Sequence, residues 1–220
     1  PEGAPEVGDA SWHELMTTDW QAAMKFYEEA FNWQPTEQMD MGPDGKYQMF
    51  NRPHGMIGGM MNKPKAMANV PPYWLIYFRV PDVDAAAERI KANGGQILNG
   101  PMEVPGGDWV LNAMDPQGAA FYIYEPADDP KQPEGAPEIG EGSWHELMTS
   151  DAPAAMKFYT ELFGWEQSET MDMGEMGKYY MFNRPHGMIG GMMNKPPQLA
   201  NVPPNWQNYF LVPDINTAAA

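Results

Sequence analysis

The chain has 220 residues, 43% of them hydrophobic and 20% charged, so it is a globular chain that can bury one large core or two ordinary ones. Its formal net charge of −17 argues against nucleic acid and anionic membranes as partners, because the phosphate groups of both would be repelled. The absence of cysteine excludes disulfides, thiolate metal sites and thiol nucleophiles.

From the start of the chain we expect no signal peptide. Its first residues, PEGAPEVGD, have neither the basic nor the apolar region of a signal peptide. No apolar run approaches the ~20 residues that a membrane-spanning helix needs. We therefore expect a cytoplasmic protein whose initiator methionine was processed or trimmed.

The first predicted elements form a strand, a helix and three further strands. SWHELMT (11–17) is a candidate strand, and Asp19 is a good N-cap for the helix WQAAMKFYEEAFNW, whose apolar residues recur at helical spacing. Strand candidates follow at 36–41, 46–51 and 55–61, separated by the turn sequences GPDG and NRPHG. This order is a βαβββ module.

The same order begins again at residue 74. WLIYFRV (74–80) is a candidate strand, and Asp82 caps a helix that runs to about residue 93 and ends at a Gly-Gly pair. Three more strand candidates lie near 95–99, 107–113 and 119–125, with the turn DPQG before the last. A second βαβββ module is therefore predicted.

The chain also repeats itself with a shift of 132 positions. Residues 1–88 align without gaps to 133–220, and MFNRPHGMIGGMMNKP occurs at 49–64 and again at 181–196. We predict an N-terminal tail (1–8), a complete domain of two modules (9–126) and a linker rich in proline and acidic residues (127–140). A second domain (141–220) follows, truncated in its second module.

These motifs resemble the vicinal-oxygen-chelate superfamily, which includes glyoxalase I, bleomycin resistance proteins and extradiol dioxygenases. The resemblance rests on the Asp-capped helices, on DAAAERI followed by Gly-Gly, and on DPQGAAFYIYEP (115–126). It is strongest to tandem two-domain glyoxalase-like proteins. It implies an α+β fold of tandem βαβββ modules whose curved sheets enclose a cleft, with a metal held by residues of the first and last strands.

The ligand positions that the resemblance implies carry other residues here. The first ligand, usually His, should lie seven residues before each capping acid, and the last, usually Glu, four after the glycine of the DPxG turn. These positions hold Trp12, Leu75, Trp144, Gln207 and Tyr122. The last strand of the first module, GMIGGMM (55–61), has no carboxylate or imidazole. We therefore expect no metal cofactor; the alternative is that His13 and His145 bind nickel, zinc or iron.

The His-Glu pair of SWHELMT divides between the two faces of its strand. Side chains alternate across a strand, so Trp12 and Glu14 share the face that the resemblance assigns to the cleft, and His13 points to the other. A one-residue bulge would reverse this. Glu14 and Glu146 are candidate catalytic bases or binding groups for a cation; a solvated or paired strand glutamate is the alternative.

Aromatic and methionine side chains are predicted to line the cleft and to suit a planar or apolar ligand. The residues expected there are Trp12, Met60, Leu75, Tyr77, Tyr122, Tyr124, Trp144, Gln207 and Tyr209. His54 and His186 lie in the NRPHG turn, which favours a surface position, with a ligand contact at the cleft rim as the alternative.

Two classes of function follow from the sequence. The favoured class is a bleomycin-resistance-like protein that binds a small molecule between modules without the metal of the family. The sequence leaves open whether such a protein forms a homodimer. The alternative is a divalent-metal enzyme, either a glyoxalase-type lyase or isomerase, or a dioxygenase. A metal-free enzyme with Glu14 as general base is a third possibility.

Overall fold

A computed structural model of the chain describes residues 10–52, 55–127, 142–184 and 187–219. Its helices are α1 (Trp20–Phe31), α2 (Val83–Ala92), α3 (Ala152–Phe163) and α4 (Ile215–Ala218). The strands of the first repeat are β1 (Ala10–Thr17), β2 (Gln34–Asp40), β3 (Lys46–Arg52), β4 (Gly55–Asn62), β5 (Tyr73–Arg79), β6 (Gln96–Glu103), β7 (Trp109–Met114) and β8 (Ala120–Glu125). Those of the second are β9 (Gly142–Thr149), β10 (Glu166–Asp172), β11 (Lys178–Arg184), β12 (Gly187–Asn194) and β13 (Asn205–Phe210). None of these helices has the length and apolar character needed to cross a membrane.

Each complete module places its first strand parallel to its last and runs its last three strands as an antiparallel meander. The parallel pairs are β1 with β4, β5 with β8, and β9 with β12. The strands form an eight-stranded sheet in the order β2-β3-β4-β1-β5-β8-β7-β6 and a five-stranded sheet in the order β10-β11-β12-β9-β13. This confirms the predicted α+β class of tandem βαβββ modules.

The helices begin where the sequence predicts, because an aspartate caps each one. The carboxylate of Asp19 accepts a 3.0 Å hydrogen bond from the backbone N–H of Ala22, and Asp82 caps α2 in the same way. A side chain at the end of a neighbouring strand accepts a second orphan N–H: Asn62 binds the N–H of Trp20 at 2.9 Å. The start of α1 is thus tied to the end of β4.

The described residues divide into two compact units. The larger unit contains residues 76–127 and 144–209. In its core, α2 and strands β5, β7 and β8 pack against α3 and its neighbouring strands. The large buried side chains there are Phe78, Ile90, Leu111, Phe121, Tyr159, Trp165 and Phe182. Because this grouping draws on both repeats, the domain boundaries stated above remain a prediction from the repeat.

The smaller unit contains residues 12–75 and 210–219. Trp33 is its centre: the ring stacks on Phe50 at a centroid distance of 4.6 Å and meets Trp74 and Phe210 edge-on. Leu15, Met24 and Met60 complete the buried cluster. The same stacking recurs in the larger unit between Trp165 and Phe182, at 4.4 Å.

The two copies of the repeated helix differ in how much of their apolar surface is covered. Phe158 on α3 is 4% exposed, whereas the equivalent Phe26 on α1 is 61% exposed. Sequence cannot account for this, because both helices carry the same MKFY segment. The packing around each copy therefore decides which apolar face is buried.

The DPQG turn is fixed by one buried carboxylate. Asp115 accepts 2.9 Å hydrogen bonds from the backbone N–H groups of Gln117 and Ala119, and the hydroxyl of Tyr159 donates to it at 3.1 Å. The indole of Trp206 in turn donates to the Tyr159 hydroxyl at 3.1 Å. Burial raises the pKa of Asp115 above its ordinary value, and these hydrogen bonds act in the opposite direction.

Candidate functional site

A hydrogen-bonded network connects β1 with β3 in the smaller unit. The indole N–H of Trp12 donates to the hydroxyl of Tyr47 at 2.9 Å, and that hydroxyl donates to Oε2 of Glu14 at 3.1 Å. Glu14 is 7% exposed, whereas Trp12 and Tyr47 are half-buried. We call these three residues the first network. It brings an anionic group and two aromatic side chains together on one strand face.

The same network recurs in the larger unit with shorter distances. The indole of Trp144 donates to the hydroxyl of Tyr179 at 2.7 Å, and that hydroxyl donates to Oε2 of Glu146 at 3.0 Å. Burial, followed by the negative charge of Glu146, raises the pKa of Tyr209 on β13, so Tyr209 lies near this carboxylate. We call Trp144, Tyr179 and Glu146 the second network. Two copies with equal partners show that the arrangement is a property of the repeated sequence.

The glycine pair of GMIGGMM makes room for each network. A Cβ atom on Gly59 would lie 2.2 Å from the ring of Tyr47, and one on Gly191 would lie 2.2 Å from the ring of Tyr179. Gly59 pairs with Glu14 across the parallel β1–β4 ladder. The tyrosine ring can therefore reach the carboxylate across β4 because this position lacks a side chain.

Burial and the glutamates keep the network tyrosines protonated. Burial raises the pKa of Tyr47 well above its ordinary value, and the negative charge of Glu14 raises it further. Burial and Glu146 likewise raise the pKa of Tyr179, although the hydrogen bond from Trp144 opposes them. Burial, followed by the charge of Glu14, also raises the pKa of Tyr73 on β5. These hydroxyls are therefore hydrogen-bond donors at neutral pH.

A third group of tyrosines lies on β5 and β8 in the larger unit. The rings of Tyr77 and Tyr122 are 4.6 Å apart, and the amide of Asn112 donates to the Tyr122 hydroxyl at 3.1 Å. Burial raises the pKa of Tyr124 to about 12, with Asp108 adding to the effect. Tyr77 and Tyr122 therefore form an aromatic pair, and Tyr124, two residues further along β8, lies beside Asp108.

The remaining predicted cleft residues lie in different environments. Met60 is fully buried in the core cluster of the smaller unit, because it pairs with Leu15 in the β1–β4 ladder and not with Glu14. Leu75 is buried in β5. Gln207 is half-buried on β13 and donates a long 3.5 Å hydrogen bond to Asn205.

The two described histidines lie among core groups. The ring of His13 meets the edge of Phe210 at a centroid distance of 5.8 Å, and Nδ1 of His145 is 3.1 Å from the side-chain oxygen of Asn208. Within the described ranges, no three His, Asp or Glu side chains converge as a metal-binding group. That donor set does not fit a divalent metal. His54 and His186 lie outside the described residues.

Sequence reasoning missed Tyr47 and Tyr179, which connect the two ends of each network. Both follow a repeated Gly-Lys pair, in GKY at 45–47 and 177–179. A tyrosine in every copy of a repeat, opposite a glycine pair, is the signal that could have revealed them. The contact itself depends on strand pairing between distant segments, which spacing along the chain does not encode.

Comparison with known proteins identifies the family. The family described as the Glyoxalase/Bleomycin resistance protein/Dioxygenase superfamily matches residues 10–123 and 143–219. A protein of Mycobacterium tuberculosis with the provisional name glyoxylase CFP32 is 29% identical over 214 residues, which cover 97% of this chain and 80% of that protein. The anthracycline biosynthesis protein DnrV of Streptomyces peucetius is 28% identical over 176 residues, or 74% of this chain and 63% of DnrV.

Solved structures show the same fold at low sequence identity. The Mn(II)-bound glyoxalase from Novosphingobium aromaticivorans superimposes with a TM-score of 0.63 at 16% identity. The match covers 87% of this chain and 63% of the glyoxalase. At this identity the likeness concerns the fold alone.

Proposed function

The chain belongs to the Glyoxalase/Bleomycin resistance protein/Dioxygenase superfamily, and we propose that it binds a small, planar, aromatic or apolar molecule at the strand faces that carry its two networks. One observation carries this proposal: a buried glutamate joined to a half-buried tyrosine and tryptophan occurs twice with the same partners. Exposed aromatic surface beside a few fixed polar groups is the composition of a ligand site.

The relatives support a small-molecule role at a coarse level. The name of DnrV connects that protein with the biosynthesis of anthracyclines, and CFP32 has the provisional name of a glyoxylase. A planar ring system would suit the indole and phenol surfaces of the networks, because offset stacking on aromatic side chains adds to the burial of apolar area.

We propose that this binding uses no resident metal. The support is the donor set: tryptophan, leucine, glutamine and tyrosine stand where the family's ligands would be expected, and the described residues contain no cluster of three metal-binding side chains. We therefore assign no chemical step to a metal. The metal-dependent lyase, isomerase or dioxygenase remains the alternative, and measured metal content decides between them.

A metal-free enzyme would place general-base chemistry on Glu14 or Glu146. Such an enzyme would show a pH–rate profile governed by a single carboxylate, and Glu14→Gln would abolish the activity of the first network. Full activity in that variant would exclude Glu14 as the base. In the network the Glu14 carboxylate accepts a hydrogen bond from a tyrosine hydroxyl. This geometry is equally compatible with ligand binding and with catalysis.

The proposal is tested by treating the full chain with a chelator and then titrating it calorimetrically with acridine, a neutral planar heterocycle. We expect binding, and we expect Trp144→Ala to weaken it about fivefold, since one aromatic contact contributes about 1 kcal/mol. Trp109→Ala is the matched control, because Trp109 is 40% exposed on β7 and outside both networks. Equal losses in both variants, or no binding by the wild type, would contradict the proposal.

A further inference from the structure

The second network forms an aromatic enclosure around one carboxylate. Trp144 and Glu146 lie on β9, Tyr179 on β11 and Tyr209 on β13. Glu146 is 8% exposed, whereas Trp144 and Tyr179 are half-buried and Tyr209 is 46% exposed. The carboxylate therefore lies at the base of the group, and the aromatic side chains extend from it toward solvent.

The partner that the described residues give the Glu146 carboxylate is a neutral hydrogen-bond donor. The hydroxyl of Tyr179 donates to Oε2 at 3.0 Å, and Tyr209 lies near enough for the charge of the carboxylate to add to the effect of burial on the pKa of its hydroxyl. The ion pairs seen among the described residues join Lys25 to Glu29 and Lys91 to Glu88, and neither involves Glu146. Neutral donors stabilise a buried carboxylate but do not neutralise it, so a cation placed beside it would gain electrostatic energy.

The surroundings select the kind of cation. A divalent metal ion would need several more oxygen or nitrogen ligands, and the described residues do not provide them. The faces of tryptophan and tyrosine attract an organic cation through their quadrupoles, and such contacts are strongest where water is displaced. The chain's net charge of −17 further favours cations over anions in its neighbourhood.

From these observations we propose that the group formed by Trp144, Glu146, Tyr179 and Tyr209 is a binding site for a planar organic cation, such as an aromatic amine or quaternary ammonium ion. This inference rests on the proposed function and narrows its ligand class. The ring of the ligand would contact the aromatic side chains, and its positive group would lie next to the Glu146 carboxylate.

The test compares two probes of matched shape in ¹⁹F NMR of the full chain labelled with 5-fluorotryptophan. The probes are N-methylacridinium, which is cationic, and acridine at a pH where it is uncharged. The Trp144 signal, assigned from the spectrum of Trp144→Phe, reports on this site alone. We expect N-methylacridinium to bind at least about tenfold more tightly than acridine, which corresponds to ~1.4 kcal/mol.

The variants isolate the charge. Glu146→Gln should abolish the preference for the cation, read as the ratio of the two affinities in the same variant, because the amide removes the charge and keeps the shape and a hydrogen-bond acceptor. Glu146→Asp should keep part of the preference, which guards against misfolding as the explanation. Glu169→Gln makes the same charge change at an exposed position of β10 and should keep the full preference for the cationic probe.

The outcomes separate this inference from the proposed function. Equal affinities for the two probes, or a preference that survives Glu146→Gln, would overturn the cation site while acridine binding upheld the general proposal. If neither probe shifted the Trp144 signal, both proposals would fail at this site.

Discussion

The hydroxyl of Tyr179 donates a 3.0 Å hydrogen bond to Glu146, and the ring that carries it lies over Gly191 of the intervening strand. Residues from three strands thus combine to hold one carboxylate in place. Because Tyr47, Gly59 and Glu14 repeat the relationship, the second glycine of the pair in GMIGGMM is explained by the need to let a tyrosine ring pass.

The glycine pair should respond unequally to alanine. A Cβ on Gly191 would meet the Tyr179 ring at 2.2 Å, and a side chain can move, whereas a Cβ on Gly190 would lie 2.1 Å from the backbone oxygen of His145. We expect Gly191→Ala to cost about 1–3 kcal/mol of unfolding free energy and to weaken acridine binding. Gly190→Ala should destabilise the fold more, because backbone atoms must shift.

Urea denaturation and calorimetric titration of both variants check this prediction. Acridine binding that is unchanged in Gly191→Ala would show that the Tyr179 position does not matter for the site. Equal destabilisation by the two substitutions would contradict the prediction, because it would mean that moving the Tyr179 ring costs as much free energy as shifting the backbone.

The two copies of the repeated helix provide a matched pair for stability. Phe158 is 4% exposed and Phe26 is 61% exposed, so truncating the first removes buried surface and leaves a cavity. We expect Phe158→Ala to lower the free energy of unfolding by about 3–5 kcal/mol and Phe26→Ala by about 0.5 kcal/mol or less. Denaturation in urea measures both, and equal losses would contradict the difference in packing.

Asp115 should make the larger unit less stable as the pH rises. Its folded-state pKa is raised above the ordinary value of 3.8 by burial, so the folded chain holds this proton more tightly than the unfolded chain does. The stability contributed by the protonated group is full below 3.8 and is lost as the pH rises through the folded-state pKa. Asp115→Asn cannot titrate and should lack this loss.

The measurement is the free energy of unfolding of wild type and Asp115→Asn across a pH series that starts below 3.8. The wild type should lose stability relative to the variant with rising pH, and the difference should level off above the folded-state pKa. The other carboxylates contribute equally to the pH dependence of both proteins, so their contributions cancel in the difference between wild type and variant. A constant difference across the series, or one that changes in the opposite direction, would refute the assignment.

Local patterns predicted the elements, whereas strand pairing decided the site. The capping aspartates and helical spacing locate α1 and α2 within a residue or two, because these signals act over a single turn. Alternation along SWHELMT correctly separates Glu14 from His13, as the contacts of each show. These features needed no knowledge of the rest of the chain.

Met60 and Tyr47 show what sequence could not supply. Met60 lies in the core because β4 pairs with β1 in a register that sets it beside Leu15. Tyr47 reaches Glu14 from a strand that is not its neighbour in the sheet. Both placements depend on the pairing of distant segments, and a shift of one residue would reverse them.

The central claim is that the chain binds a planar small molecule without a resident metal, and measuring metal content together with ligand binding tests it most directly. Elemental mass spectrometry of the natively purified chain, followed by acridine titration with and without a chelator, uses one sample for both questions. We predict no stoichiometric nickel, zinc, iron or manganese and the same acridine affinity in both titrations. About one tightly held metal ion per repeat, with binding lost on chelation, would contradict the claim and establish the metal-dependent alternative.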